Sequence, residues 1–330
     1  MTNQSMSGSL SELDFSDLYL EPNGQAWFKR FSRDPDRHIL TGELLEKARA
    51  LVAPARDAKK ADFRIALEDR ALRGRVLPTL SGELIVLRRL MLRREVPDLE
   101  TLYPSKLVNA LMSQDLASGG LVLFKGPTGS GKTVAAVATV MARLARFGGV
   151  GTSIENPVEI EFEGTHEGGF NAVGTMYQTE VDNDRQFGTE IVARSRVAPN
   201  ILFIGELRTA EAMAQALLAA MSGIVVIATF HAEDIMTGVQ RIRAMVADAG
   251  YDSGLFSNAL AVMVHQTMTR TELEDGSVER KYVASPLVVR GAVASNAIRG
   301  QLMKEDLRPL QSHIDQQHRA MHNSSPGVPL

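Results

Sequence analysis

The sequence predicts an α/β fold distributed over two domains. From Ser105 onward, short apolar runs typical of strands alternate with longer segments of helical spacing, which favours a parallel sheet covered by helices on both faces. The chain has 330 residues, of which 44% are apolar, so it can bury two separate hydrophobic cores. Residues 95–104 contain two prolines and several acidic residues, as connections between domains often do. We therefore expect an N-terminal domain over residues 1–94, a linker over 95–104 and a larger C-terminal domain over 105–323.

The N-terminal domain is predicted to be a small α/β domain. Residues 63–65 and 84–87 have the composition of short strands and are separated by charged turns. Between these strands and the chain start, residues 40–52 place leucine and alanine at helical spacing.

The C-terminal domain has a more regular pattern of alternating elements. Apolar runs of strand length are followed by segments rich in helix formers, several of which stop at a glycine, as helix C-termini often do. The predicted strands are residues 121–125, 151–154, 201–204 and 224–229, and the predicted helices are 133–147, 210–222 and 234–249. Residues 295–323 are expected to be helical, and residues 324–330 to be disordered.

A glycine-rich loop follows the first of these strands and leads into a helix. Its eight residues, Gly126, Pro127, Thr128, Gly129, Ser130, Gly131, Lys132 and Thr133, match the pattern G-x-x-x-x-G-K-[ST] in full. Glycines allow backbone N–H groups to turn toward phosphates, and the helix N-terminus adds positive potential. Lys132 supplies a cation, and Thr133 supplies a hydroxyl ligand for Mg²⁺. The loop therefore predicts a nucleoside triphosphate site, against the less favoured alternative of a glycine-rich turn with a chance Lys-Thr pair.

Three further strands end in polar residues that suit such a site. Glu206 follows the strand 201–204 and is a candidate to hold Mg²⁺, through water, or to polarise the attacking water. Glu155 and Glu159 follow the strand 151–154, and either could act as a general base. His231 follows the strand 224–229, where a group that senses the γ-phosphate would lie. Taken singly, each has an ordinary alternative: a solvated acid at a strand end or in a surface turn, and a structural histidine.

Together, these segments resemble the traffic ATPases of type II secretion, type IV pili and type IV secretion. The resemblance covers most of the chain and rests on four motifs in the family's order: the phosphate loop, an "Asp box", an acid strand and a "His box". They are residues 126–133, 153–159, 201–208 and 228–234. Asn156 departs from the family, which usually has aspartate there. The four-cysteine zinc motif of many members is also absent, which favours the pilus-retraction-type and the Dot/Icm- or conjugation-type branches.

The resemblance implies an architecture and a set of partners. It implies a RecA-like P-loop NTPase domain joined flexibly to a smaller PAS-like N-terminal domain, in a homo-hexamer that uses ATP and Mg²⁺. Arginines of the N-terminal domain, from the same or a neighbouring subunit, would stabilise transition-state charge. Arg75 and Arg88 are the candidates, and Arg196, just ahead of the acid strand, is a third; each could instead be a solvated surface arginine. The partner would be an inner-membrane platform or secretion-system protein.

Composition limits the location and the competing functions. The formal net charge is -3 and aromatic residues make up 5% of the chain, so a nucleic-acid translocase ranks last and no direct nucleic-acid contact is expected. The sequence has no cysteine and no apolar run of transmembrane length. We therefore expect a cytoplasmic protein that meets the inner membrane only through partners. The leading hypothesis is an ATP-driven motor for pilus retraction, type IV secretion or conjugation; the alternative, left open by Asn156, is an accessory ATP-binding subunit of another ATPase.

Overall fold

The protein forms two compact units, Met1–Leu92 and Arg93–Leu330. The computed structural model describes residues 8–31, 34–58, 61–68, 70–169, 172–272, 278–322 and 330. The tail expected to be disordered, residues 324–330, lies outside this part of the chain except for Leu330. The segment expected to be a linker, residues 95–104, belongs to the second unit and contains the short helix Leu99–Leu102.

The first unit is an antiparallel sheet with one helix. Its strands are β1 (Asp17–Leu20), β2 (Ala26–Lys29), β3 (His38–Ile39), β4 (Asp62–Leu67), β5 (Arg70–Thr79), β6 (Gly82–Arg89) and β7 (Met91–Leu92), and its helix is α1 (Gly42–Ala58). The six-stranded sheet has the order β3-β2-β1-β6-β5-β4. Leu18 and Leu20 lie two residues apart in β1, on the same face of the sheet, and both are buried. They pack with Leu44, Ala48 and Val52, which lie on one stripe of α1.

The second unit contains the remaining strands and helices of the chain. Its strands are β8 (Gly120–Lys125), β9 (Gly149–Ile154), β10 (Ile160–Glu161), β11 (Gly164–Glu167), β12 (Val173–Tyr177), β13 (Ile201–Ile204), β14 (Val225–Phe230), β15 (Leu260–Glu272) and β16 (Val278–Val288). Its helices are α2 (Leu99–Leu102), α3 (Ser105–Leu111), α4 (Lys132–Phe147), α5 (Phe187–Ser195), α6 (Ala210–Met221), α7 (Ile235–Asp248), α8 (Ser253–Ala259), α9 (Ser295–Met303) and α10 (Arg308–His322).

The large sheet of this unit is mixed rather than purely parallel. Its order is β11-β12-β9-β13-β14-β8-β15-β16, and the six inner strands are parallel. The two outer strands, β11 and β16, run antiparallel to their neighbours. The expectation of a parallel sheet was therefore correct for the centre and wrong at both edges. The expected C-terminal helix is likewise divided into α9 and α10.

The central strands form the core of this unit. Every residue of β8, β13 and β14 is buried, which explains why these segments are continuous apolar runs rather than alternating ones. Helices α6 and α7 contribute alanine, leucine and isoleucine side chains to the same core. Across the described residues, no helix combines the length and the apolar character needed to cross a bilayer.

Candidate nucleotide site

Four neighbouring parallel strands end at one edge of the large sheet. Phe230 of β14 lies beside Lys125 of β8, and Ile204 of β13 lies beside both Ala228 and Ile154. The residues that follow these ends are the glycine-rich loop, Glu155, Glu206 and His231. Ligands of open α/β sheets bind at the carboxyl ends of the strands, so the predicted site residues meet where a ligand is expected.

The glycine-rich loop leaves no room for side chains at two of its glycines. Gly126 has φ 152° and Gly131 has φ 82°, values that favour glycine. A Cβ on Gly126 would lie 2.1 Å from the carbonyl oxygen of Gln266, and one on Gly131 would lie 2.7 Å from a ring carbon of Tyr282. The close approach of the loop to β15 and β16 therefore depends on glycine at both positions.

The loop continues directly into α4, which begins at Lys132. The Lys132 ammonium donates a hydrogen bond of 2.9 Å to the carbonyl oxygen of Pro127, across the loop. Burial lowers the pKa of Lys132, while the nearby carboxylates of Glu206 and Glu159 raise it. Thr133, half-buried, lies in the first turn of the helix. Both residues therefore lie at the positive end of the α4 dipole.

Glu206 is held by an arginine from its own motif. Arg208 donates from Nε and Nη2 to Oε2 of Glu206 at 2.9 and 2.7 Å, and from Nη1 to Asp184 at 3.0 Å. Asn156 donates its amide N–H to the other oxygen of Asp184 at 3.2 Å. A chain of hydrogen bonds therefore runs from Asn156 through Asp184 and Arg208 to Glu206. In this series of hydrogen bonds, the side-chain amide of Asn156 acts as a donor, which an aspartate carboxylate could not do.

The two acids of the 153–159 segment lie in different environments. Glu155 is 1% exposed, whereas Glu159 is exposed. Burial raises the pKa of Glu155 to about 7, despite hydrogen bonds to its Oε1 from the Ser153 hydroxyl at 2.6 Å and the Gln178 amide at 2.9 Å. A carboxyl group that titrates near neutrality is suited to proton transfer. Glu155 therefore has the properties of a general base more clearly than Glu159.

His231 lies between the loop and Glu206. Its Nε2 is 3.5 Å from Oε1 of Glu206, and its ring hydrogen-bonds to the backbone of Gly126. Burial, together with the charges of Lys132 and Arg208, lowers the pKa of His231. The lowered pKa favours the neutral imidazole, which can serve as a hydrogen-bond partner without adding charge.

The three arginines predicted to complete the site lie on other elements of the fold. Arg75 and Arg88 lie on β5 and β6 of the first unit, where the Nε of Arg88 donates to the buried Asp17 carboxylate at 2.7 Å. Arg196 follows α5 and lines a groove of about 860 Å³ at the amino edge of the large sheet. Since the loop lies at the carboxyl edge, Arg196 lies away from the loop of its own chain.

Several side-chain contacts around the site could not be found by sequence reasoning. Asp184 lies in a polar segment without a motif, and its link to Arg208 could not be predicted from spacing. Tyr103 and Gln266 lie behind the loop, where the Tyr103 hydroxyl donates to Gln266 and the Gln266 amide donates to the Ser130 carbonyl. Arg208 stands within the recognised acid strand motif, so only its partner was missed.

The chain was compared with known protein families. Residues 33–320 match the family described as "Type II/IV secretion system protein". The chain belongs to this family. The match includes all four motifs and most of the first unit, in agreement with the resemblance found in the sequence.

Two curated relatives illustrate the range of the family. The protein transport protein HofB homolog of Escherichia coli K12 is 29% identical over 274 residues, covering 77% of this chain and 55% of the relative. The type IV pilus assembly ATPase PilB of Thermus thermophilus is 30% identical over 220 residues, covering 66% of this chain and 23% of the relative. The chain thus spans about half the length, or less, of these curated relatives.

Two solved structures share the fold over nearly the whole chain. The pilus retraction motor PilT with bound ADP has a TM-score of 0.68 at 22% identity, covering 96% of this chain and 95% of PilT. The ATPase DotB of Legionella pneumophila has a TM-score of 0.67 at 18% identity, covering 94% of this chain and 85% of DotB. The α/β fold with mixed sheets is therefore that of secretion and pilus ATPases.

Proposed function

We propose that this protein is a hexameric ATP-hydrolysing motor that powers pilus retraction, type IV secretion or conjugation. The observation that carries the proposal is the convergence of the phosphate loop, Glu155, Glu206 and His231 at the carboxyl edge of one sheet. Membership of the secretion family and the fold shared with PilT and DotB support it.

The residues of the loop fit a nucleotide with its Mg²⁺. The buried hydroxyl of Ser130 has no hydrogen-bond partner among the described residues, although buried polar atoms are normally paired. Gly126 and Gly131 have positive φ values, which allow the loop backbone to turn its N–H groups toward phosphate oxygens. Thr133 and Glu206 offer the hydroxyl and carboxylate oxygens that Mg²⁺ prefers. When bound, the Mg²⁺ would neutralise charge on the β- and γ-phosphates.

Each site residue would then have its own role in hydrolysis. Lys132 binds the β- and γ-phosphates. Glu206, fixed by Arg208, would hold the metal with its carboxylate, and the buried Glu155, whose pKa is raised to about 7, would accept a proton from the attacking water. His231, neutral and beside Gly126, reports the presence of the γ-phosphate. Glu159 lies exposed and contributes negative charge close to Lys132.

Arginines would complete the site at the transition state. Arg75 and Arg88 belong to the N-terminal unit, and Arg196 would act on the site of a neighbouring copy. A correctly placed arginine accelerates phosphoryl transfer by about 10³ to 10⁵. Arg88 is oriented by the buried Asp17 carboxylate, which would reduce the entropy lost when it binds phosphate.

The assembly and its partners follow from the same proposal. The N-terminal unit is proposed to be PAS-like, which is supported by its six-stranded antiparallel sheet and the long helix α1. Six copies would form a ring of RecA-like domains in the cytoplasm. The ring would act on an inner-membrane platform or secretion-system protein, with movement between the units driven by hydrolysis.

The alternative, an accessory ATP-binding subunit, depended on Asn156. The amide of this residue donates to Asp184 and so supports the position of Arg208. A neutral residue at position 156 therefore has a use in an active enzyme, which favours the motor over the accessory subunit.

Steady-state ATP hydrolysis by the purified chain in the presence of Mg²⁺ tests the proposal, with light scattering to follow the mass. A hexamer that hydrolyses ATP is the expected result. A hexamer that binds ATP without turnover would favour the accessory subunit, and a chain that binds no nucleotide would contradict both.

A further inference from the structure

One residue of strand β15, Gln266, contacts the phosphate loop near both ends of the loop. Gln266 is fully buried, and it follows the last pair of β15 with β8, His265 with Lys125. Its carbonyl oxygen lies against Gly126 at the start of the loop. Its side-chain Nε2 donates to the Ser130 carbonyl at 2.6 Å, near the end of the loop. Gln266 therefore contacts the loop where it begins and where it turns into α4.

The hydrogen bond to Ser130 determines how the next peptide group is directed. The peptide between Ser130 and Gly131 is planar and trans, so its C=O and N–H point in opposite directions. Because the carbonyl points to Gln266, the N–H of Gly131 points away from β15. In loops of this kind, backbone N–H groups that face away from the supporting strand meet phosphate oxygens. The Gln266 amide thus orients a donor of the proposed nucleotide site.

Tyr103 determines which end of the Gln266 amide faces the loop. An amide presents an oxygen at one end and an NH₂ at the other, and the two ends have nearly the same shape. The Tyr103 hydroxyl donates to Oε1 of Gln266, which leaves Nε2 for Ser130. Burial raises the pKa of Tyr103, so the hydroxyl keeps its proton and remains a donor. Tyr103 is itself held against Phe124 of β8, with ring centroids 6.5 Å apart and planes 9° apart.

Tyr103 also lies where the chain enters the C-terminal unit. The unit begins at Arg93, and Tyr103 directly follows helix α2 (Leu99–Leu102), ten residues into the unit. The side chains of Leu99, Leu102 and Tyr103 are all buried. A displacement of α2 would therefore move the Tyr103 hydroxyl and, with it, the Gln266 amide.

We propose that Tyr103 and Gln266 are positioning residues that hold the phosphate loop in its nucleotide-binding shape and couple it to helix α2 at the entrance of the C-terminal unit. The inference rests on the proposed function, since it assigns a role toward the nucleotide. It adds two residues that touch neither nucleotide nor metal, and it names a route by which nucleotide binding alters the segment that follows the N-terminal unit.

The test uses the full chain and a double-mutant cycle of Tyr103→Phe and Gln266→Leu, with a fluorescent ADP analogue as the probe. Tyr103→Phe keeps the ring stacked on Phe124 and removes only the hydroxyl. Each single variant is expected to weaken ADP binding by about three- to tenfold, the range of one net hydrogen bond. The double variant should bind no more weakly than Gln266→Leu, because a tyrosine hydroxyl has no amide to orient once Gln266 is gone.

Gln317→Leu is the matched control for loss of stability. Gln317 is also buried, and its side chain bonds to the backbone N–H and C=O of Val288 at 2.7 and 2.8 Å. Its removal should lower the urea midpoint and leave ADP affinity unchanged. The inference is overturned if Tyr103→Phe and Gln266→Leu also lower the urea midpoint and leave ADP affinity unchanged. It is also overturned if their effects on ADP affinity add. A wild-type chain that binds no ADP would overturn the proposed function as well, so the two failures are distinguishable.

Hydrogen exchange tests the coupling to α2. In the wild-type chain, ADP is expected to slow hydrogen exchange of the amides of residues 99–103 by about threefold or more. The reason is that ADP fixes the phosphate loop, which through Gln266 and Tyr103 stabilises the α2 segment against local opening. In Gln266→Leu, measured at saturating ADP, this slowing should disappear, while it should persist in Gln317→Leu. Equal slowing in Gln266→Leu and in the wild-type chain would refute the coupling.

Discussion

Replacing Glu155 by glutamine tests two effects of its carboxyl group separately: its effect on the free energy of unfolding and its effect on ATP turnover. The carboxyl group is 1% exposed, and burial is the main reason that its pKa is raised to about 7, with smaller contributions from the charges of Glu159 and Glu180. Ser153 and Gln178 both donate to Oε1, which a glutamine can offer equally well. Glu155→Gln therefore mimics the protonated acid with little change in shape.

The size of the effect follows from the pKa. A carboxyl group whose pKa is raised on folding stabilises the fold in its protonated form, so this contribution is complete below the unfolded pKa and is lost as the pH rises through about 7. A rise in the Glu155 pKa from its ordinary value of 4.5 to about 7 corresponds to about 3 kcal/mol in total, of which about 2 to 3 kcal/mol falls between pH 5 and 8. Glutamine does not titrate, so Glu155→Gln should gain this much stability over the wild-type chain as the pH rises.

Urea unfolding of both proteins at several pH values between 5 and 8 measures the difference directly. The difference in free energy of unfolding should grow with pH in favour of Glu155→Gln, while its ATP turnover is lost at every pH. Wild-type turnover should fall as the pH drops below 7, because the base becomes protonated. A stability difference that does not depend on pH would refute the reasoning about the burial of Glu155.

Two other substitutions test the loop and the chain of hydrogen bonds at Glu206. Lys132→Ala should weaken ATP binding by about 10- to 100-fold, as expected for a lost charged hydrogen bond to phosphate; unchanged binding in a nucleotide titration would contradict its role. Asn156→Asp places a second carboxylate beside Asp184, which costs about 1 kcal/mol at this half-exposed position. It should lower kcat severalfold with little change in KM, and adding Asp184→Asn should restore much of the loss; a restoration that fails would argue against the link through Arg208.

The sequence was sufficient to find the centre of the sheet and the residues at its carboxyl edge. Strands β8, β13 and β14 are buried on both faces, so each is an uninterrupted apolar run that can be recognised from composition. Since parallel strands end at the same edge, the motifs that follow these runs had to meet, and Glu206 and His231 do so.

The edges of the sheet could not be found in the same way. Strands β15 and β16 combine buried apolar residues with exposed polar ones as they extend beyond β8, so their pattern changes along their length. Strands β11 and β12 contain glycines and few apolar residues. In these segments pairing with neighbours, rather than intrinsic propensity, determines the strand.

Contacts between distant side chains were also beyond sequence reasoning. Tyr103 lies in the segment expected to be a linker, and Asp184 lies where no element was predicted. Their partners are 163 and 24 residues away, respectively. The pKa of Glu155 likewise depends on burial, which the spacing of the acids does not reveal. The distinction between the buried Glu155 and the exposed Glu159 therefore required the structure.

The central claim is that Glu206 at the end of β13 serves hydrolysis and that the phosphate loop serves binding. It is tested most directly by measuring steady-state ATP hydrolysis and ATP affinity of the wild-type chain and of Glu206→Gln, with Mg²⁺ present. The expected result is turnover in the wild-type chain, and unchanged binding with turnover abolished in Glu206→Gln. Equal loss of binding and turnover in Glu206→Gln, or undiminished turnover, would contradict the claim.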